Sequence, residues 1–144
     1  VLLRFVERSH PLHTEIRDAI RKLRNNSQQL QVTSQNCVEF WNVATRPISR
    51  NGFGLTPDKT EKLLRLIERL FPVLLDSSDV YQEWRRLVVK FGVSGVQVHD
   101  ARLVAAMKVH KISHILTFNM EDFTRYKSEG ILAIAPETVL NENT

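Results

Sequence analysis

With 144 residues, 42% of them apolar, the chain has the material for one sizeable core, and its length fits a single domain. A net charge of +4, from 20 Lys and Arg against 16 Asp and Glu, tilts the choice of partner only mildly toward a polyanion. One cysteine, Cys37, excludes an internal disulfide framework and fits a reducing compartment, and no apolar run approaches the roughly 20 residues of a membrane span. The opening Val1–Arg8 is interrupted by Arg4, Glu7 and Arg8, unlike a signal peptide, so a soluble cytoplasmic protein with no membrane partner is expected.

In chain order, Leu12, Ile16, Ala19, Ile20 and Leu23 recur at helical spacing between Pro11 and Asn25. Arg17, Arg21, Lys22 and Arg24 flank that stripe, where they read as a solvated face or as phosphate contacts. Gln29–Thr33 alternates as a short strand, and Ser34 is placed to cap a helix carrying Cys37, Val38, Glu39, Phe40, Trp41 and Ala44. Ile48–Leu55 reads as a mobile connection whose Gly52 and Gly54 are too sparse for a phosphate-binding fingerprint. Thr56-Pro57-Asp58 is a helix start, with a capping hydroxyl, a proline at the first helical position and an acid beside the positive dipole end. The helix it opens is expected to bury Leu63, Leu64, Ile67, Leu70 and Phe71.

Val73–Leu75 is a short strand ahead of a turn at Asp76–Asp79. A helix follows with Tyr81, Trp84, Leu87, Val88 and Phe91 on one face, closed by Gly92 and Gly95. Its aromatic residues match the aliphatic spacing and read as core, not as a base-stacking platform. A further helix carries Ala101, Ala105 and Val109, and His114–Thr117 reads as a strand ending in polar Thr117 and Asn119. A short helical turn through Phe123 then leads to a last strand, Gly130–Ile134, stopped by Pro136. One domain is expected over 1–140, with 141–144 as a frayed tail.

Strands separated by one or two helices predict an α/β fold, a mostly parallel sheet sandwiched between helices. Such sheets commonly begin with a strand, whereas here a long helical start comes first, so the first strand is expected before Val1. In a parallel sheet Thr117 and Asn119 lie at the carboxyl end, the edge where open α/β sheets hold ligands. Asp100, in the first turn of the preceding helix, faces the same edge.

Each chemical candidate has a plainer alternative. Glu39 is also an ordinary exposed helix glutamate, and Asp100 is also an acid favoured by the helix dipole. Asn119 and Asp122 have the offset of a cap and its third helical residue. If these side chains do share one sheet edge, their carboxylates repel unless a cation neutralises them, and oxygen-only ligands select a hard ion such as Mg²⁺ or Mn²⁺. The five histidines lack a zinc-ligand pattern, and there is no P-loop or nucleophile elbow.

Val98-His-Asp100-Ala-Arg-Leu-Val-Ala-Ala106, followed by Ile115-Leu-Thr117-Phe-Asn119-Met-Glu-Asp122-Phe123, strongly resembles the PIN-domain ribonucleases, particularly the VapC-type toxins of toxin–antitoxin pairs. Thr33–Phe40 resembles that family's second acidic motif, and Gly130–Pro136 its closing strand, so the resemblance spans nearly the whole chain. Val1-Leu2-Leu3 resembles the tail of the family's opening motif, whose aspartate would lie just ahead of Val1. A second departure is Asn119, where many members carry an aspartate.

The resemblance implies a PIN-like α/β/α sandwich and a Mg²⁺- or Mn²⁺-dependent endoribonuclease. Asp100 would bind the cation directly, Glu39 would hold it or position its water, and Asn119 with Thr117 would complete a polar floor, while Asp122 would either compensate for the charge Asn119 lacks or only cap the helix. Arg102 would contact phosphate or pair with a carboxylate. The implied partners are RNA, a cognate antitoxin and a second copy of the chain. Two other readings stand beside it: a non-catalytic PIN-like module that grips RNA or protein, and a DNA-directed nuclease.

Overall fold

The computed structural model describes residues 1–142 and is mixed α/β, about 64% helical, with two small parallel strand pairs. The chain divides into two compact units, Val1–Leu75 and Asp76–Thr144, each holding one of the pairs.

In the first unit, α1 (Leu2–Val6) precedes α2 (His13–Asn25). The apolar stripe of α2 buries Ile16, Ala19 and Ile20, while Arg17 points outward and pairs with Asp18 at 3.1 Å. The strand expected over Gln29–Thr33 is realised only as β1 (Val32–Thr33). It leads directly into α3 (Ser34–Thr45), whose cap is Thr33, not Ser34. The Thr33 hydroxyl accepts from the Asn36 N–H at 3.2 Å and the Asn36 side chain accepts from the Thr33 N–H at 2.9 Å, a reciprocal box that Ser34, with Cys37 three residues on, cannot form. The Ser34 hydroxyl is instead buried without a hydrogen-bond partner.

The segment expected to be a loose connection is laid back along the end of α3. After a 3₁₀ turn at Ile48–Arg50, Phe53 N–H donates to Val43 O at 3.0 Å, Gly54 N–H to Arg46 O at 2.9 Å and Leu55 N–H to Ala44 O at 2.9 Å. Gly52 is required by this close approach, since a Cβ there would stand 2.0 Å from the Arg46 carbonyl oxygen. Helix α4 (Pro57–Leu70) starts as read, with the Thr56 hydroxyl accepting from Lys59 N–H at 3.3 Å and Pro57 in the first turn. Ile67 and Phe71 are buried, whereas Leu63, Leu64 and Leu70 are half-buried. Strand β2 (Val73–Leu74) pairs in parallel with β1, Val32 opposite Val73 and Thr33 opposite Leu74. Arg24 closes the unit by donating to Leu70 O at 2.6 Å while its guanidinium lies over the Phe71 ring.

The second unit is organised around one buried helix. Helix α5 (Ser78–Lys90) and a 3₁₀ turn at Gly95–Gln97 lead into α6 (Val98–Val109). Ala101 and Ala105 are buried as expected, and so are Leu103, Val104, Ala106 and Met107, leaving α6 apolar on nearly every side. Val80, Leu87, Phe123, Tyr126 and Ile131 pack with them in one cluster. Tyr81 departs from the expected core face of α5 and is 60% exposed, because Val80 fills the core position and Tyr81 sits at the stripe's edge.

Strand β3 (His114–Leu116) pairs in parallel with β4 (Leu132–Ile134), His114 opposite Leu132 and Leu116 opposite Ile134. Between them the expected short turn through Phe123 is a ten-residue 3₁₀ segment, Met120–Glu129, because Phe123 and Tyr126, three apart, both anchor in the core. Gly130 ends it at φ +81°, the left-handed conformation a glycine takes without strain. Pro136 stops β4 and also opens a helix the sequence reading missed, α7 (Pro136–Asn141), using proline's tolerance for the first helical position. Asn141, assigned above to the frayed tail, thus ends a helix, while 143–144 of that tail lie outside the described residues.

Glu129 ties the unit together. Its side chain, 7% exposed, is gripped by Arg86 at 2.9 Å, Lys90 at 2.6 Å and Lys108 at 3.0 Å, from α5 and α6. The Arg86 and Lys90 hydrogen bonds hold its carboxyl well below the usual carboxylate range. Among the described residues no helix is long and apolar enough to cross a membrane.

Candidate functional site

Helix α6 ends at Val109, the chain passes Lys111 at φ +58°, and β3 follows at His114. Ile112 N–H donates to Met107 O at 2.8 Å. Asp100 lies near the start of α6, while Thr117 and Asn119 follow the carboxyl end of β3.

Asp100 lies in the first turn of α6 and is half-buried. Thr117 extends the parallel ladder one residue past β3, its N–H donating to Ile134 O at 3.0 Å. Its hydroxyl oxygen accepts from the Asn119 N–H at 3.0 Å, which leaves the hydroxyl proton for another acceptor. Asn119 opens the 3₁₀ segment, with its carbonyl accepting from Asp122 N–H at 3.2 Å. Its side chain makes no capping bond, so the capping alternative fails for Asn119 and its amide is spent on nothing local. Asp122 is exposed in the first turn of the same segment.

Two supports behind this end were not legible in the sequence. Arg125 donates to the Gln97 side chain at 2.8 Å, tying the segment after Asn119 to the turn that precedes Asp100. Tyr126 is 1% exposed, and its phenol is pushed up by burial, opposed by Arg125 and reinforced by the negative charge of Asp100. The available signal was the Phe123/Tyr126 spacing in a stretch otherwise read as loop. Arg102 pairs with Asp76 at 2.7 Å, the carboxylate-partner role of the two expected for it. On the other side, the Trp84 indole N–H donates to Val98 O at 3.0 Å, fixing α5 against the first turn of α6.

Glu39 belongs to the first unit. It is exposed on α3, one turn beyond the carboxyl end of β1, and accepts from the Gln35 side chain at 2.9 Å. The same helix lines an open groove of about 500 Å³ with Cys37, Val38, Trp41, Asn42 and Thr45, and Leu64 of α4 completes it. Burial, reinforced by Glu68, pushes the Cys37 thiol up, away from reactive thiolate character.

Within the second unit Asp100, Asn119 and Asp122 offer oxygen ligands, the type a hard divalent ion takes. Among the described residues no three His, Cys, Asp or Glu side chains form a group able to hold a metal ion. No family model and no curated protein matches this chain.

Proposed function

We propose that this chain is a PIN-like endoribonuclease that hydrolyses RNA phosphodiesters with Mg²⁺ or Mn²⁺, acting in the cytoplasm as the toxin of a toxin–antitoxin pair and as a homodimer. A three-layer α/β/α sandwich belongs to the same reading. The observation that carries it is that Thr117 and Asn119 follow the carboxyl end of the β3/β4 pair while the Arg125–Gln97 bond ties the segment after Asn119 to the turn that precedes Asp100. That edge is where parallel α/β units present their ligands.

The assigned roles follow from chemistry the side chains can perform. Asp100 is the carboxylate for the cation. The Asn119 amide N–H and the Thr117 hydroxyl proton are donors for a phosphate oxygen, and Asp122 flanks them at the surface. Glu39 is assigned to the same activity by resemblance alone, and its carboxylate accepts from the side chain of Gln35, which is itself buried. A hard ion bound among such oxygens keeps several waters and stabilises charge on phosphoryl oxygens.

The test is incubation of the full-length protein with a structured RNA in Mg²⁺, in EDTA, and in EDTA followed by excess Mn²⁺. Cleavage that EDTA stops and Mn²⁺ restores is the expected result. RNA bound but intact under every condition would make the chain a binding module, and cleavage of DNA alone would make it a DNA-directed nuclease.

A further inference from the structure

The face of α5 beside the candidate site carries an aromatic pair that the core does not use. Tyr81 is 60% exposed, and its ring lies 6.0 Å from that of Trp84, tilted by 35°. Trp84 is held rigidly, half-buried against the core cluster and bonded to Val98 O two residues before Asp100. Arg85, four residues from Tyr81 on the same helical face, is exposed and forms no ion pair among the described residues. A flat exposed ring, backed by a fixed indole and accompanied by a free guanidinium, is the combination that takes a nucleobase and its phosphate together.

We propose that Tyr81, backed by Trp84, is a stacking ledge for an unpaired base of single-stranded RNA, with Arg85 contacting the adjoining phosphate, and that it seats the strand beside the first turn of α6. This rests on the nuclease reading for its substrate class but not for its geometry. A paired base offers no free face, so the ledge selects loops and single strands over duplex. A protein partner is the competing occupant. The uncompensated cation and the adjacency to Asp100 favour the polyanion.

The test is fluorescence anisotropy of a labelled single-stranded RNA and of its duplex form in EDTA, which halts turnover, with wild type, Tyr81→Phe, Tyr81→Ala and Arg85→Ala. Loss of one stacked base weakens binding by roughly 5- to 150-fold. Tyr81→Ala should show that loss on the single strand and none on the duplex, Tyr81→Phe should keep affinity within about twofold, and Arg85→Ala should flatten the salt dependence by about one phosphate contact. Circular dichroism melts of Tyr81→Ala should match wild type, since the ring is exposed. Equal affinity of wild type and Tyr81→Ala for the single strand, an equal loss on duplex, or no binding by wild type overturns the proposal. Absence of RNA cleavage by wild type in Mg²⁺ and in Mn²⁺ would sink the nuclease reading and leave these binding results standing.

Discussion

Replacing Glu129 with glutamine keeps the side chain's shape and removes its charge from a place where three cations converge. Arg86 approaches one carboxylate oxygen at 2.9 Å, Lys90 the other at 2.6 Å, and Lys108 donates both to the carboxylate at 3.0 Å and to the Glu129 backbone carbonyl at 3.1 Å. Removing one member of a buried ion pair costs about 3–5 kcal/mol. Arg86 and Lys90 are 43% and 50% exposed and recover hydration when the charge goes, which reduces the expected loss to about 2 kcal/mol. For a chain of this length about 2 kcal/mol corresponds to a melting decrease of roughly 4–8 °C at pH 7.

Because the folded carboxyl titrates below its unfolded value, Glu129 contributes fully above the ordinary carboxylate range, and that contribution fades as pH falls through the depressed folded value. The gap between wild type and Glu129→Gln should thus be the same at pH 7 and pH 5.5 and shrink below about pH 4. Thermal melts by circular dichroism across that series provide the measurement. A variant melting within 1 °C of wild type at pH 7, or a gap that widens in acid, would refute the reasoning.

Thr33→Val removes the hydroxyl that caps α3 and should lower the melting temperature by about 2–4 °C, the effect of losing roughly 1 kcal/mol of capping; an equal loss from Ser34→Ala would return the cap to Ser34. Gly52→Ala forces a Cβ against the Arg46 carbonyl and should cost about 1–3 kcal/mol in urea denaturation, whereas a neutral result would show that the 47–55 segment is free to lift off α3. Asn119→Ala should leave stability within about 0.5 kcal/mol, since no capping bond is lost, yet reduce RNA cleavage. A stability loss of cap size with cleavage intact would return Asn119 to the role of a cap.

Local chemistry made much of the fold legible. Thr56-Pro57-Asp58 starts α4 because capping hydroxyl, proline and acid all act within one turn. The stripe of α2 and the ends of β3 and β4 at Thr117 and Pro136 followed from periodicity and backbone restriction in the same way. What escaped depended on alternatives that local patterns leave open. Thr33 and Ser34 are both good caps, and only Asn36 at the third position decides between them. Pro136 ends a strand and begins a helix with the same missing N–H. Val80 and Tyr81 are neighbours on one helix, and which of them turns inward depends on the packing of α6 beneath, a tertiary fact.

The candidate site shows the same division. Asn119 after a strand and Asp100 in the first turn of a helix could be read from sequence, whereas the Gln97–Arg125 brace and the charge of Asp100 on Tyr126 join residues 26 to 28 positions apart that no periodicity connects. Glu39 was picked by motif, and its bond to the buried Gln35 is a contact that no motif specifies.

The most direct measurement is the initial rate of RNA cleavage in Mg²⁺ by Asp100→Asn and Glu39→Gln, each first shown by circular dichroism to melt like wild type. The account predicts that Asp100→Asn falls by about 100-fold or more, the loss typical of removing a positioned catalytic group. Wild-type rates in both folded variants would take Glu39 and the carboxylate at the head of α6 out of the chemistry.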